Sequence, residues 1–119
     1  MIEHANDNRH PAVIASERDG ERIVLTLAIP KTLFWFRGHF PGYPVLPGVV
    51  QLDWAVHYAR WAFEIEAATV DSMKVKFRKP LQPEAHVRLT LSRAAHDGID
   101  FEYAGDEIYS LGQLRFAGR

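Results

Sequence analysis

The segment from Val49 to Glu66 constrains the fold more than any other part of the chain. It contains neither Gly nor Pro, and its apolar residues fall on nearly every face of a helix rather than on one stripe. A helix with this pattern is buried. Pro47 is a suitable opening residue, because the first turn of a helix has no use for the N–H that proline lacks. The rest of the chain must therefore supply a surface that surrounds one helix.

The remaining pattern is that of β-strands. Ala12–Glu17 and Arg22–Ile29 flank the turn signal Asp19-Gly20, which predicts a hairpin. Four segments after the helix are also predicted strands, most of them alternating apolar with polar residues: Met73–Phe77, Val87–Leu91, Ile99–Tyr103 and Ile108–Phe116. The dipeptide Asp97-Gly98 is the predicted turn between the second and third of these strands. We therefore expect an α+β domain spanning residues 1–119. An antiparallel sheet of about six strands would wrap around one long central helix, and its free edges favour joining two subunits.

The composition of the chain excludes several classes of function. The chain has 119 residues, a formal net charge of −1 and no cysteine, so bulk attraction to nucleic acid, disulfides and thiol catalysis are excluded. Its start, MIEHANDNRHP, lacks the basic-then-apolar layout of a secretory signal. No apolar run approaches the length of a membrane span. A cytoplasmic protein is the expectation.

The segment before the helix carries the chemistry. Residues 30–48 hold four of the seven prolines, three of the eight glycines and five aromatic residues. Such a long, ring-rich loop is typically packed and functional. Residues 37–53 read RGHFPGYPVLPGVVQLD, and Asp53 follows His39 by 14 residues.

This stretch resembles the GHFPxxPxxPGxxxxE/D signature of the hot-dog-fold 3-hydroxyacyl-[acyl-carrier-protein] dehydratases, the FabA/FabZ-like family. The segment KFRKPLQP, residues 76–83, is similar to that family's FxRPVxPGD strand-turn, although Glu84 stands where the family usually has Gly. The short chain and the aspartate-type acid look like the small ApeI-like dehydratases of aryl polyene biosynthesis. The resemblance covers about residues 22–116.

Dehydrating a 3-hydroxyacyl thioester requires a base, an acid and a donor to the carbonyl oxygen. Histidine titrates near neutral pH, so His39 suits the base. Asp53 suits the acid if its surroundings are apolar enough to keep it protonated. The amide of Gly48, at the start of the helix, suits the developing negative charge. The family implies these same roles, and a two-fold dimer in which His39 of one subunit meets Asp53 of the other. It implies no cofactor.

Each of these residues also has a structural interpretation. Asp53, His57, Arg60 and Glu64 form a polar stripe that is typical of the solvated side of a helix. His57 stands where the family usually has Gln; either it orients Asp53 as a second-shell partner or it merely belongs to the stripe. The rings of Phe36, Trp54 and Phe77 are candidates for the lining of an acyl tunnel, or else ordinary core. No histidine pair has a metal-binding spacing with a carboxylate, so no metal is expected.

A basic surface is the remaining candidate. Arg37, Lys76, Arg78 and Lys79 form either a docking surface for an acidic acyl carrier protein, as the family implies, or a solvated strand face. We expect an enzyme acting on (3R)-3-hydroxyacyl thioesters carried on that protein, in a homodimer or in a heterodimer with a second hot-dog subunit. The alternatives are a hot-dog acyl thioesterase and a non-catalytic partner subunit of a dehydratase heterodimer.

Overall fold

A computed structural model describes residues 8–38, 40, 42–66, 69–83 and 86–117. Within these ranges the chain forms one α-helix and one sheet. The helix, α1, spans Gly48–Phe63. The strands are β1 (Ala12–Asp19), β2 (Arg22–Ala28), β3 (Val70–Phe77), β4 (His86–Ala94), β5 (Gly98–Ala104) and β6 (Ile108–Phe116).

The described strands form a single antiparallel sheet in the order β1-β2-β4-β5-β6-β3. The predicted hairpin of β1 and β2 is confirmed, and β4, β5 and β6 follow one another as expected from their short connections. The strand β3 does not pair with β4, its successor in the chain. It pairs with β6 at the far edge of the sheet, so the chain crosses the sheet between β3 and β4.

The core lies between α1 and the inner face of the sheet. Alternate residues of β2, β4 and β5 are buried, as period-two patterning predicts. The helix buries several large side chains against them, among them Trp54, Tyr58 and Phe63. The predicted architecture, a sheet wrapped around one central helix, is therefore confirmed.

The helix ends earlier than the sequence predicts. Its last residue is Phe63, and Glu64 adopts a left-handed conformation with φ of 51°. The N–H groups of Glu64 and Ile65 both bond to the carbonyl oxygen of Arg60, which closes the helix. The apolar pattern continues to Ile65, but a left-handed residue stops the helix whatever the pattern.

The edge strand β3 is little covered by its own chain. Met73 is 42% exposed and Phe77 is 49% exposed, although both lie on the face that alternation predicts to be apolar. The helix packs against β4, in the interior of the sheet, and β3 lies beyond it at the edge. An apolar strand face and an unpaired strand edge are thus left open together.

Candidate active site

The loop between β2 and α1 is folded rather than extended. A short 3₁₀ turn covers Phe34–Phe36. Farther on, Phe40 and Tyr43 exchange backbone hydrogen bonds, and Gly42 between them has φ of 78°. That left-handed conformation favours glycine, which explains the glycine at this point of the loop.

Two motif residues lie outside the described residues. They are His39, the predicted base, and Pro41. The role of His39 stays a prediction from the sequence.

The loop is anchored to the segment that follows β3. The N–H of Leu46 donates to the carbonyl oxygen of Leu81 at 2.8 Å, and both side chains are buried. The N–H groups of Arg78 and Lys79 both donate to the carbonyl oxygen of Tyr109. The bond between Leu46 and Leu81 holds the start of α1 beside the segment after β3, and the two bonds to Tyr109 hold the end of β3 against β6.

Gly48 is the first residue of α1, and Pro47 precedes it as the N-cap. The amides of a helix's first turn have no acceptor within the helix, so they are available to a ligand. A Cβ at Gly48 would lie 2.6 Å from Cζ of Phe77. Glycine is therefore what allows the Phe77 ring to approach the start of the helix.

A groove of about 420 Å³ opens at this contact. It is lined by Val45, Leu46, Gly48, Gln51, Phe77, Arg78, Lys79 and Pro80. Four residues that the sequence singled out are thus brought together: Gly48, Phe77, Arg78 and Lys79. The groove combines an apolar floor, the amide end of a helix and a basic rim.

Phe36 and Trp54, the other two predicted tunnel residues, do not line this groove. Trp54 is fully buried and Phe36 is 7% exposed, so both pack in the core of the single chain. The indole N–H of Trp54 donates to the carbonyl oxygen of Arg9 at 3.0 Å, and that of Trp35 donates to the same oxygen at 2.7 Å. The burial of Phe36 and Trp54 favours the alternative that the sequence left open for them, that they are ordinary core residues.

Asp53 lies on an exposed face of α1. Val49, one turn earlier on the same face, is 71% exposed. The single chain therefore leaves the carboxyl of Asp53 open to solvent. An acid role for Asp53 requires that another chain cover this face.

His57 follows Asp53 by one turn and is partly buried. Its ring lies 4.9 Å from the His10 ring and 4.9 Å from the Tyr58 ring, measured between centroids. The segment before β1 thus reaches across to the polar stripe of the helix. A second-shell role of His57 toward Asp53 stays a prediction.

The four residues of the predicted basic surface have different surroundings. Lys76 and Arg78 are exposed, and the guanidinium of Arg37 lies 5.5 Å from the centroid of the Phe34 ring. Lys79 instead forms an ion pair with Glu107 at 2.9 Å. The hydrogen bond to Glu107 and its charge raise the pKa of Lys79. Lys79 therefore meets an acidic partner within its own chain.

Sequence reasoning did not single out Gln51. It is 3% exposed, and among the described residues, aromatic ones aside, only Ser110 is another buried polar or charged side chain. The Ser110 hydroxyl donates to Oε1 of Gln51 at 2.7 Å, and the Tyr103 hydroxyl donates to the main-chain oxygen of Gln51 at 2.6 Å. The signal that was available is a lone amide, one turn after Gly48, on a helix face that is otherwise apolar.

Two other features are absent from the described ranges. No group of three His, Asp or Glu residues there is placed to hold a metal ion. No helix among the described residues is long and apolar enough to span a membrane.

The antiparallel sheet wrapped around one central helix is a hot-dog fold. A family model described as ApeI-like, ApeI dehydratase, matches residues 15–113. The chain belongs to this ApeI-like family of hot-dog dehydratases.

Individual proteins that are similar to this chain are also dehydratases. The 3-hydroxyacyl-[acyl-carrier-protein] dehydratase FabZ of Rhizorhabdus wittichii is 32% identical over 105 residues, which cover 74% of this chain and 65% of that protein. This chain therefore spans about two thirds of that relative's length. A chain of the dehydratase heterocomplex ApeI:P from Xenorhabdus doucetiae superposes with a TM-score of 0.80 at 34% identity, covering 92% of this chain and 99% of that chain.

A more distant structure shows the fold alone. The mouse thioesterase superfamily member 2 superposes with a TM-score of 0.67 at 9% identity, covering 90% of this chain and 81% of that chain. The hot-dog fold is thus shared with thioesterases, and the fold by itself does not choose between the two activities.

Proposed function

We propose that the protein dehydrates (3R)-3-hydroxyacyl thioesters, carried on acyl carrier protein, to trans-2-enoyl thioesters in fatty acid or aryl polyene synthesis. The observation that carries the proposal is the groove at the start of α1, where Gly48, the first residue of the helix, meets the ring of Phe77 beneath a basic rim. Membership of a dehydratase family supports the reaction class.

The proposed reaction is an elimination of water. The imidazole of His39 removes the proton from C2, and the electron pair of that C–H bond forms the C2=C3 double bond. The C3–O bond breaks as the carboxyl of Asp53 gives its proton to the departing hydroxyl. The amide of Gly48 hydrogen-bonds the thioester oxygen, where negative charge develops. The proton on His39 is then returned to Asp53, by way of solvent, for the next turnover.

We propose that the site is completed by a second hot-dog subunit. The open edge and exposed apolar face of β3 favour pairing with another sheet. Asp53 is exposed in the single chain and needs cover to act as an acid. The partner is a second copy of this chain or a different hot-dog chain, and the heterocomplex named for the Xenorhabdus doucetiae structure makes the second arrangement a specific candidate.

The reaction is tested with purified protein and two substrates, a 3-hydroxyacyl and a saturated acyl carrier protein. Loss of water from the hydroxyacyl chain, read by mass spectrometry of the intact carrier protein, is the expected result. Release of free carrier thiol from the saturated substrate, with no enoyl product from the other, would show a thioesterase instead. If neither substrate reacts until a second hot-dog chain is added, that chain completes the site, and full activity of the Asp53→Asn variant in the resulting complex would show that this protein is a non-catalytic partner subunit.

Asp53→Asn tests the acid. We expect turnover to fall by at least about 100-fold, in the range that acid–base catalysis contributes, while the oligomer stays folded. Glu64→Gln is the matched control, because it neutralises another exposed carboxyl on the same polar stripe. Equal activities for the two variants would place Asp53 in the stripe only.

An active site shared between two copies of this chain also predicts activity in mixed dimers of two inactive variants. Asp53→Asn and His39→Ala variants, each inactive alone, should regain part of the activity when their subunits are exchanged into mixed dimers. Subunit exchange is followed by mass spectrometry. Exchange without recovery of activity would contradict a site built from two chains of this protein.

The basic residues around the end of β3 are proposed to receive the acyl carrier protein. Lys76→Glu combined with Arg78→Glu should raise KM for the carrier-bound substrate and leave kcat nearly unchanged, and the effect should weaken as salt is added. Lys31→Glu, an exposed lysine in the loop after β2, is the control for a change of charge alone. An equal rise in KM for the control would argue against a docking surface at residues 76–79.

A further inference from the structure

We propose that the side-chain amide of Gln51 is a second hydrogen-bond donor to the thioester carbonyl oxygen, beside the amide of Gly48. The inference rests on the proposed function, because it assigns a residue to the same groove. It makes Gln51 a catalytic residue that the motif does not contain.

The first observation is the burial of Gln51. A polar side chain that is 3% exposed costs free energy unless its donors and acceptors find partners. Its neighbours on α1, Val50 and Trp54, are buried apolar residues. A leucine would fit such an environment without this cost, so the amide needs an explanation.

The second observation is that one end of the amide is fixed. Oε1 accepts the hydrogen bond from Ser110, whose side chain is fully buried on β6. The backbone of Gln51 is fixed as well, because its carbonyl oxygen accepts from the buried hydroxyl of Tyr103. Within the described part of the chain, Ser110 is the hydrogen-bond partner of the Gln51 side chain. Nε2 is therefore left as an oriented donor.

The third observation is where that donor lies. Gln51 lines the groove together with Gly48 and Phe77. It follows Gly48 by three residues, so the two share one side of the helix. Helical side chains lean toward the N-terminus, which directs the amide of Gln51 toward the turn that begins at Gly48.

These placements fit a ligand of defined chemistry. A thioester oxygen has two lone pairs, and it gains negative charge as the proton leaves C2. Two preorganised N–H donors beside an apolar floor stabilise that charge better in the transition state than in the ground state. Ser110 then acts as a positioning residue, since it fixes which end of the amide faces the groove.

The test separates this role from a purely structural one. The double variant Gln51→Leu, Ser110→Ala removes both polar partners and leaves no buried group unsatisfied, so it should fold with an unchanged or higher Tm. We expect kcat to fall about 100-fold, as for the loss of one oxyanion donor, with a smaller change in KM. Ser110→Ala alone should lose several-fold, because the amide keeps its donor but loses its orientation. Gln113→Leu, on β6, is the matched control for the glutamine substitution and should keep wild-type kcat.

A second readout does not depend on turnover. A saturated acyl carrier protein with a ¹³C-labelled thioester carbonyl should show a lower carbonyl stretching frequency when bound to the wild type than when bound to the double variant. A kcat within twofold of wild type in the double variant, or a loss of activity that only follows a loss of Tm, overturns the inference. If the wild type does not dehydrate its substrate, the proposed function fails, and the carbonyl frequency still decides the donor role. Equal frequencies in wild type and variant overturn it.

Discussion

At the scale of single residues, the site depends on a few buried polar contacts behind the groove. Tyr103 and Ser110, on two neighbouring strands, both reach Gln51 on the helix. Burial raises the pKa of Tyr103 well above its ordinary value of 10.0, and the nearby Tyr58 and Asp53 add to the effect. The phenol therefore stays protonated and donates its hydrogen bond across the whole neutral range.

The first prediction concerns this phenol. In the wild type, the free energy of unfolding should fall as pH rises above about 10, because the unfolded chain releases the Tyr103 proton there and the folded chain holds it. Tyr103→Phe should cost about 1 kcal/mol at neutral pH, the net worth of one hydrogen bond, and should weaken this alkaline dependence. Urea unfolding between pH 7 and 11 measures both. Tyr43→Phe, at an exposed tyrosine, should leave the alkaline dependence intact; an equal change there would contradict the assignment.

The second prediction concerns Gly48. A methyl group there would meet Cζ of Phe77 at 2.6 Å, but the ring is half-exposed and is free to swing aside. Gly48→Ala should therefore fold with a Tm near that of the wild type, while kcat/KM falls at least about tenfold because the displaced ring enters the groove. Adding Phe77→Leu should restore part of the lost activity. No recovery in the double variant would mean that the contact with Phe77 is not what requires glycine.

At the scale of elements, the turns show how local chemistry and strand register compete. The sequence predicts Asp97-Gly98 as the turn between β4 and β5. The structure instead gives positive φ, 59° in each case, to His96 and Asp97. Gly98 belongs to β5 and pairs with Ala94, so the register of the strands moves the turn one residue toward the N-terminus.

The third prediction follows from this shift. Two non-glycine residues in a left-handed conformation cost free energy that Asn-Gly in the same places largely avoids. His96→Asn with Asp97→Gly should raise the free energy of unfolding by about 1 kcal/mol. In the β1–β2 hairpin, Gly20 has φ of 61°, and Gly20→Ala should lower the free energy of unfolding by a similar amount, about 1 kcal/mol. Chemical unfolding measures both, and changes of the same sign would contradict the turn assignment.

At the scale of the whole molecule, the exposed surfaces of β3 and α1 lie close to the proposed active site. The strand β3 ends at Phe77, which lines the groove, and its inner face remains exposed at Met73. The exposed face of α1 carries Val49 and Asp53. A second subunit that covers these surfaces would exclude water from the proposed site at the same time.

The fourth prediction tests the role of β3. Met73→Lys places a charge on the inner face of the strand and should shift the proposed dimer toward monomer in sedimentation velocity, with activity lost in parallel. Ser72→Lys introduces the same side chain on the opposite face and should leave the dimer intact. Dissociation by both variants, or by neither, would place the interface elsewhere.

Much of the fold follows from hydrophobic periodicity. Alternation located β2, β4 and β5, because the inner faces of these strands are buried by the helix as a period of two requires. The same pattern in β3 could not reveal that this strand lies at the edge. Alternation shows which residues share a face, but the position of a strand in the sheet decides whether that face is covered.

The candidate site, like the fold, was predictable from the sequence only in part. The motif names Gly48 and Asp53 through their spacing, and the anchoring of the loop by Leu46 and Leu81 depends on residues 35 positions apart. No local pattern could place the Phe77 ring on Gly48 or the Ser110 hydroxyl on Gln51, since each contact joins elements distant in the chain.

The sequence by itself determined the class of protein, because backbone preferences and side-chain periodicity act over a few residues and the motif lies within one short stretch. Only the tertiary structure decided what surrounds that motif. It set the Phe77 ring against the first turn of the helix, buried the amide of Gln51 behind it and left Asp53 on an open face. Burial and contact depend on how the sheet and the helix pack together, and that packing exists only once the whole chain has folded.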